Sequence, residues 1–241
     1  MRKKGKNILL ASLLTAAAAG VLLAALFFAG VLQFNRPSRE RYPVRGVDVS
    51  HYQGEIDWEV LSAQGISFAY IKATEGSSSA DERFVFNFSE AQKTGLRIGA
   101  YHFFSFESAG KTQAENFISA VEPIPGMLPP AADVEPYGSF RELTPGVLNE
   151  LSVWLSTVEE HYGKKPVIYT TAAYYETIRE AFPEHGIWLR SVYGKPSGKT
   201  EWTFWQYSDR MKLNGYDGDE KFIDMNVFAG TEEDLAAYCL P

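Results

Sequence analysis

Cysteine is almost missing from this sequence, since Cys239 is the single one among 241 residues. One cysteine excludes an intrachain disulfide and a cysteine-based metal cluster. Histidine is also scarce, with four residues, and none occurs in the H-E-x-x-H spacing of a zinc site. We therefore expect no metal and no cofactor, and we interpret Cys239 as a small residue near the C-terminus.

The sequence also lacks three common site patterns. It contains no G-x-S-x-G elbow, no Gly-x4-Gly-Lys-Ser/Thr loop and no G-x-G-x-x-G run. These patterns position a serine nucleophile, bind nucleotide phosphates and bind dinucleotides, respectively. Their absence disfavours a serine hydrolase, a nucleotide-binding protein and a dinucleotide-binding protein.

Positive charge is concentrated near the N-terminus. Residues 1–47 contain eight Lys/Arg and one acid, Glu40, so they contribute +7 to a formal net charge of −7. The rest of the chain therefore carries −14. A domain that acidic repels nucleic acid, which is bound through Lys/Arg contacts to its phosphates. We expect no nucleic-acid partner.

Residues 8–32 contain no charged residue and follow a short stretch with four Lys/Arg. About 20 apolar residues span a bilayer, whereas the apolar part of a cleaved signal peptide has only about 7 to 15. We therefore predict a transmembrane signal anchor at 8–32, preceded by a cytoplasmic basic tail at 1–7. Cleavage near the small residues 17–20 is the alternative, and the protein would then be secreted.

Residues 33–45 are polar, contain two prolines and show no periodic pattern, which predicts a linker. The remaining residues, 46–241, contain no internal repeat, low-complexity tract or second break in composition. We therefore expect one catalytic-size domain after the linker.

Short runs rich in β-branched and aromatic residues alternate with helix-length segments through this domain. The predicted strands are 47–49, 68–71, 98–103, 131–134, 166–169, 186–189, 204–207 and 223–226. The predicted helices are 57–64, 82–94, 111–121, 144–162 and 172–181. This alternation predicts an α/β fold with a largely parallel sheet. Eight strands suit a single TIM-like β/α barrel, which we expect to be irregular because no clear helix follows residue 187.

Four acids lie in or just after these strands, where an ordinary core would have Val or Ile. They are Asp48, Asp133, Glu135 and Asp224. A buried carboxylate is costly unless it is paired or hydrogen-bonded, and the carboxyl ends of barrel strands form active sites. Converging carboxylates support glycoside hydrolysis, which needs one protonated and one ionised carboxyl. An oxygen-ligand metal site is the alternative.

The triplet Asp133-Val134-Glu135 favours glycoside hydrolysis. Alternation along a strand places residues 133 and 135 on the same face. Repulsion between the two carboxylates raises the pKa of at least one of them, as a general acid working near neutral pH requires. Solvated acids at an exposed strand end are the alternative interpretation.

Aromatic side chains are frequent at the same strand ends. They are Tyr52, Tyr101, Phe103, Tyr137, Tyr169, Trp188, Trp205 and Tyr207. Sugar rings stack on aromatic faces, so an acidic cleft lined by aromatic residues suits a carbohydrate, although an ordinary core role is open for each residue. His51 and His102 also follow strands. For His102, a structural hydrogen bond and a substrate contact are both open.

Eight motifs together resemble glycoside hydrolase family 25, the muramidases of the bacterial and phage lysozyme type. In order they are GVDVSHYQG (46–54), IKATEG (71–76), GAYHF (99–103), DVE (133–135), IYT (168–170), WL (188–189), WQY (205–207) and DMN (224–226). The resemblance covers roughly residues 46–229. One departure follows Leu189, where Arg190, Ser191 and Val192 precede Tyr193, whereas the family usually has a small residue and soon an aromatic one.

The resemblance implies a flattened, irregular β/α barrel that hydrolyses the β-1,4 bond between N-acetylmuramic acid and N-acetylglucosamine of peptidoglycan. The family's acid corresponds to Glu135, and its supporting acids to Asp48, Asp133 and Asp224. Its sugar-contacting aromatics correspond to Tyr101, Tyr169, Trp205 and Tyr207, to which we add Tyr52 and His102 as candidate substrate-binding residues. The second catalytic step belongs either to an aspartate or to the N-acetyl group of the substrate.

The expected partners are peptidoglycan glycan strands and, through the N-terminal helix, a membrane, and we expect a monomer. The expected location is the bacterial cytoplasmic (inner) membrane, crossed once, with the catalytic domain on the periplasmic or extracellular side. A non-catalytic, membrane-tethered peptidoglycan-binding module is the main rival, and the four acids together favour the enzyme. A metal-dependent polysaccharide deacetylase is a third possibility, because it also uses acids at barrel strand ends, but it would need His ligands.

Overall fold

A computed structural model describes residues 2–33, 35–139 and 142–241, without the side chains of 2–6 and 8. The chain divides into two compact units, Met1–Phe34 and Asn35–Pro241. Residue 1 of the predicted tail and residue 34 of the predicted linker lie outside the described residues. The first unit holds helix α1, and the second holds a barrel.

Helix α1 (Arg2–Phe28) begins inside the predicted basic tail and ends four residues before the predicted end of the anchor. Its segment Leu9–Phe28 has a mean hydropathy of 2.3, and no part of the segment is buried. Twenty helical residues rise about 30 Å, the thickness of the hydrocarbon core of a bilayer. The helix is therefore long and apolar enough to cross a membrane.

The second unit is built on one sheet of nine strands within the described residues. They are β1 (Arg45–Val49), β2 (Phe68–Glu75), β3 (Ser79–Ala80), β4 (Arg97–Phe103), β5 (Ala131–Val134), β6 (Val167–Thr171), β7 (Ile187–Arg190), β8 (Phe204–Met211) and β9 (Ile223–Phe228). The order is β1-β9-β8-β7-β6-β5-β4-β2, and β1 also pairs with β2, so eight strands close into a barrel. Strand β3 forms a short antiparallel pair with β2. All eight predicted strands are confirmed.

Six helices accompany the strands. They are α2 (Trp58–Ser62), α3 (Phe84–Ala91), α4 (Gly110–Ala120), α5 (Pro145–Tyr162), α6 (Tyr175–Ala181) and α7 (Glu232–Tyr238). The first five confirm predicted helices, and α7 was not predicted. The barrel is irregular because β9 runs antiparallel to both of its neighbours, and because the described connections from β7 to β8 and from β8 to β9 contain no helix.

The ends of α5, the longest of these helices, follow from local sequence. The side chain of Thr144 accepts a hydrogen bond from the backbone N–H of Val147, and Pro145 begins the first turn. Gly163 ends the helix at φ 67°, in the left-handed region that favours glycine. The helix between these two ends connects β5 to β6, which pair in parallel.

Large rings fill the lower part of the barrel interior, including Phe68, Tyr70, Trp188, Phe204 and Phe228. Gly99 on β4 makes room for one of them, since a Cβ there would lie 2.5 Å from the Tyr70 ring. The lower part of the barrel interior is therefore a packed core, and active sites of such barrels lie at the carboxyl ends of the parallel strands.

The segment predicted as a linker belongs to the barrel unit from Asn35 onward. Asn35 is 5% exposed, and its Nδ2 donates to the backbone oxygen of Ser191 at 2.6 Å. Arg45 is also buried, and its guanidinium donates to the backbone oxygen of Pro37 at 2.7 Å and to the hydroxyl of Tyr207 at 3.0 Å. Polar composition and the lack of a periodic pattern predicted a linker because neither reveals these long-range contacts.

Candidate active site

A cavity of about 200 Å³ opens at the carboxyl ends of the parallel strands. Its lining residues are Asp48, Ser50, Tyr52, Lys72, Tyr101, Phe103, Asp133, Glu135, Tyr169, Trp188 and Asp224. All four predicted acids are among them, together with three of the six predicted substrate-binding residues. Asp224 reaches the same end from the start of β9, because this strand is antiparallel to the others.

Alternation along the strands explains why the acids point inward. In β1, Val47 and Val49 belong to the core beneath the helices, so Asp48 between them faces the barrel interior. In β5, Val134 likewise packs outward, and its neighbours Asp133 and Glu135 face the cavity. The same-face placement predicted for this triplet is present in the structure.

Asp48 and Asp224 lie directly opposite each other in the antiparallel pair of β1 and β9. Burial raises the pKa of Asp48, and hydrogen bonds from Asn226 and Gln206 oppose that rise. Burial raises the pKa of Asp224 well above its usual range, and the charge of Asp48 adds to the effect. The two carboxyls therefore do not ionise alike.

Asp133 and Glu135 form the second pair. Burial raises the pKa of Asp133 well above its usual range, and the charge of Glu135 raises it further. Burial also raises the pKa of Glu135, which is only partly buried; the guanidinium of Arg190 opposes this rise and the charge of Asp48 supports it. A carboxyl that holds its proton above the usual pH range of glutamic acid can serve as a general acid.

Residues 47–216 match the family described as Glycosyl hydrolases family 25. The chain belongs to this family. It is therefore a glycoside hydrolase of the muramidase, or lysozyme, type, and the predicted membership of the family is confirmed. The family match ends before Asp224, which the barrel brings into the cavity.

Relatives cover most of the chain. The structure of a family 25 glycosyl hydrolase from Bacillus anthracis matches with a TM-score of 0.79 and 48% identity, over 86% of this chain and 99% of that one. A bacterial lysozyme from Streptomyces coelicolor matches with a TM-score of 0.72 and 33% identity, over 81% and 96%. Lysozyme M1 of Streptomyces globisporus is 35% identical over 214 residues, which are 80% of this chain and 70% of that protein.

Two cations border the acids of this family 25 site. Lys72 forms an ion pair with Glu75, with 2.6 Å between Nζ and Oε2, and its ammonium lies 5.1 Å from the centre of the Phe103 ring. Arg190 forms an ion pair with Asp209, with 2.9 Å between Nη2 and Oδ2. Sequence reasoning did not assign either cation to the site, although Arg190 marked the departure from the family pattern.

Trp205 and Tyr207 were predicted to bind substrate, but they lie on the outer face of β8. Trp205 packs against Tyr42, with ring centres 6.1 Å apart, and Tyr207 bonds to Arg45. Gln206 between them faces the interior, so alternation turns both neighbours outward. Conversely, Tyr52, Tyr101 and Tyr169, also predicted to bind substrate, line the cavity.

His102 is also not brought to the cavity. It is fully buried outside the barrel wall, where Nδ1 lies 2.7 Å from Thr74 Oγ1 and Nε2 lies 3.1 Å from Gln113 Oε1. Its ring stacks on Trp154 at 5.5 Å, and burial lowers its pKa to about 4. Of the two interpretations of His102 that the sequence left open, the structure supports the structural hydrogen bond.

Sequence reasoning also did not assign Gln206 and Asn226 to the site. Both occur in family motifs, WQY and DMN, whose aromatic and acidic members were the predicted site residues. Asn226 could have been identified from Asp224, because residues 224 and 226 lie on the same face of a strand and Asp224 was predicted to face the site.

Proposed function

We propose that this enzyme hydrolyses the β-1,4 bond between N-acetylmuramic acid and N-acetylglucosamine in peptidoglycan, with Glu135 as the general acid. The observation that carries this proposal is that Glu135 and three aspartates converge on one cavity lined by aromatic side chains. Glycoside hydrolysis needs a protonated carboxyl at the leaving oxygen and negative charge near the sugar. Glu135 suits the first role, because burial raises its pKa.

Asp48 suits the second role. An oxocarbenium-like sugar carries positive charge in the transition state, and a fixed carboxylate in a buried site stabilises such charge strongly. The hydrogen bonds that Asp48 accepts from Gln206 and Asn226 favour its ionised form. Asp48 is therefore the carboxyl we assign to charge stabilisation.

Asp133 suits contact with the substrate next to the reacting bond. Its Oδ1 atom is buried and has no hydrogen-bond partner among the described residues. Buried polar atoms are nearly always paired, so a substrate group such as an acetamide N–H would satisfy it. This favours attack by the substrate's N-acetyl group, and a covalent glycosyl adduct on an aspartate, found by intact-mass analysis, would contradict that route.

Tyr52 suits sugar binding at the rim. The residue is 52% exposed, and its ring lies against that of His51, tilted by 36° with 4.1 Å between ring centres. Tyr101, Tyr169 and Trp188 lie deeper in the cavity. The rival deacetylase would need His ligands, but His102 is buried outside the barrel, and His51 Nδ1 lies 2.8 Å from Asp81.

Glu135→Gln tests the assignment, because it keeps the shape and removes the acid. We expect muropeptide release from purified peptidoglycan, followed by mass spectrometry, to fall by about 10²- to 10⁴-fold, the usual contribution of a general acid. Glu160→Gln, on the exposed face of α5, is the matched control. A Glu135→Gln enzyme with wild-type activity would refute the role, and wild-type binding without new reducing ends would support a binding module.

We also propose that α1 tethers the enzyme to the outer face of the cytoplasmic membrane. The length and hydropathy of Leu9–Phe28 support this, as does the basic N-terminus. Full-length protein in the membrane fraction is the expected result. Protein in the medium with a new N-terminus near residue 20 would show cleavage and secretion instead. The monomeric state stays a prediction.

A further inference from the structure

Two buried amide side chains lie beneath the Asp48 and Asp224 pair. Gln206 on β8 and Asn226 on β9 face each other in the register of these strands. They are 1% and 0% exposed. Both belong to the inner face of the barrel, one residue layer below the acids.

The NH₂ groups of the two amides make four contacts within hydrogen-bond distance of the acids. Gln206 Nε2 donates to both oxygens of Asp48, at 3.1 and 3.0 Å, and to Oδ2 of Asp224 at 3.0 Å. Asn226 Nδ2 donates to Oδ1 of Asp48 at 2.6 Å. Gln206 has two N–H hydrogens, so its two contacts with Asp48 share one hydrogen and the other goes to Asp224. Asp48 thus accepts from both amides, and Asp224 accepts from Gln206 alone.

The hydrogen bond that each amide oxygen accepts determines the direction in which the NH₂ group of that amide points. Trp188 Nε1 donates to Asn226 Oδ1 at 2.7 Å, and Tyr169 donates from its hydroxyl to Gln206 Oε1 at 3.0 Å. An indole N–H can only donate, so the oxygen of Asn226 must face Trp188 and its NH₂ must face Asp48. The amide of Asn226 cannot rotate without losing both bonds.

The carboxyls themselves cannot both carry a charge at low cost. Asp48 and Asp224 are direct cross-strand partners, and like charges directly opposite each other in a sheet are destabilising. Gln206 Nε2 lies 3.1 Å from Asp48 Oδ1 and 3.0 Å from Asp224 Oδ2, so the two carboxyls also approach the same donor. A single proton held between the two carboxyls relieves this repulsion. The carboxyl that accepts hydrogen bonds from both amides stays ionised, and the other keeps the proton.

We propose that Gln206 and Asn226 are positioning residues that place the negative charge of this pair on Asp48 and leave the proton on Asp224. The inference rests on the proposed function, because it gives Asp48 the charge that stabilises the sugar. Other titratable and charged groups of the cavity surround the pair. They are Lys72 on β2, Tyr101 on β4, Asp133 and Glu135 at β5, Arg190 on β7 and Asp209 on β8.

Asn226→Ala tests the proposal in full-length enzyme kept in detergent. Removing a donor to the carboxylate of Asp48 raises the pKa of that group, so the acidic limb of the pH–kcat profile should move to higher pH by about one unit. At the wild-type optimum, kcat should fall by about tenfold to a hundredfold, the loss expected for one hydrogen bond to a charged group. KM should stay within about threefold.

Asn87→Ala is the matched control. Asn87 is also a fully buried asparagine, and it bonds to Ile56 and Gly54 rather than to an acid of the cavity. Its loss should lower stability and leave the acidic limb in place. The conservative variant Asn226→Ser should recover part of the shift. An Asn226→Ala enzyme with the wild-type acidic limb would overturn the proposal.

A second measurement does not depend on activity. Carbon NMR of labelled aspartate carboxyls, assigned with Asp48→Asn and Asp224→Asn, should show Asp48 ionised and Asp224 protonated at pH 7. The reverse assignment, or two ionised carboxyls, would refute the inference even in an active enzyme. Failure of wild-type peptidoglycan cleavage would instead refute the proposed function, and the NMR result would still report on the amides.

Discussion

The inner and outer faces of the same strands carry polar residues with different roles. On the inner face, Asp48 and Asp224 meet two amides in a cavity that is open to substrate. On the outer face, His102 and Tyr207 are fully buried, His102 against Gln113 of α4 and Tyr207 against Arg45. The inner-face acids keep charge or hydrogen-bonding capacity that a substrate can use. The hydrogen bonds of the two outer-face groups are made within the protein. A shift of one residue along a strand separates the two situations.

Among the substitutions that test this comparison, Asp48→Asn should lower kcat the most. It removes the inner-face anion, and the loss of one preorganised electrostatic group typically lowers kcat by about 10²- to 10³-fold. Asp224→Asn should cost less, about tenfold, because Asp224 already holds its proton and burial raises its pKa well above the usual range. Steady-state kinetics on soluble peptidoglycan fragments measures both. Equal losses would contradict the unequal roles of the two acids.

A pair of tyrosines separates the faces more directly. Tyr207→Phe removes the outer-face hydroxyl that accepts from Arg45 at 3.0 Å, and should lower the free energy of unfolding by about 1.5 to 3 kcal/mol. It should leave kcat unchanged. Tyr169→Phe removes the inner-face hydroxyl that orients Gln206 and should lower kcat by about tenfold. Urea unfolding and kinetics on both variants check this; a fall in kcat for Tyr207→Phe would break the distinction.

Arg190→Gln should give the smallest change. The guanidinium of Arg190 opposes the rise in the pKa of Glu135 that burial causes. Its removal therefore raises the pKa of Glu135 further, so the acid keeps its proton to higher pH. The alkaline limb of the pH–kcat profile should move up by at most about one unit.

Arg179→Gln is the control for this shift. Arg179 pairs with Glu201 at 2.6 Å on the helical exterior, so it resembles Arg190 in being ion-paired but does not border the cavity. An alkaline limb that moves equally in both variants, or downward in Arg190→Gln, would argue against an effect of Arg190 on Glu135.

Much of the fold could be predicted from sequence, because the eight strands follow apolar runs and their order follows the family motifs. The four acids could be predicted too, since carboxylates inside such runs are rare and costly. The outward direction of Trp205 and Tyr207 in β8 could not be predicted, because the sequence of one strand does not show which of its alternate residues face the barrel interior. Helix α7 (Glu232–Tyr238) was missed, although Thr231 caps it with a side chain that accepts from Asp234 N–H.

Sequence by itself determined the family, the irregular barrel and the four carboxyls that converge at its open end, because these follow from local patterns and their order along the chain. Only the tertiary structure decided which aspartate meets which amide, that His102 is structural, and that residues from Asn35 onward pack on the barrel. The reason is physical: the proton on a buried carboxyl depends on donors and charges within a few ångströms. Those neighbours come from β1, β7, β8 and β9, which only barrel closure brings together.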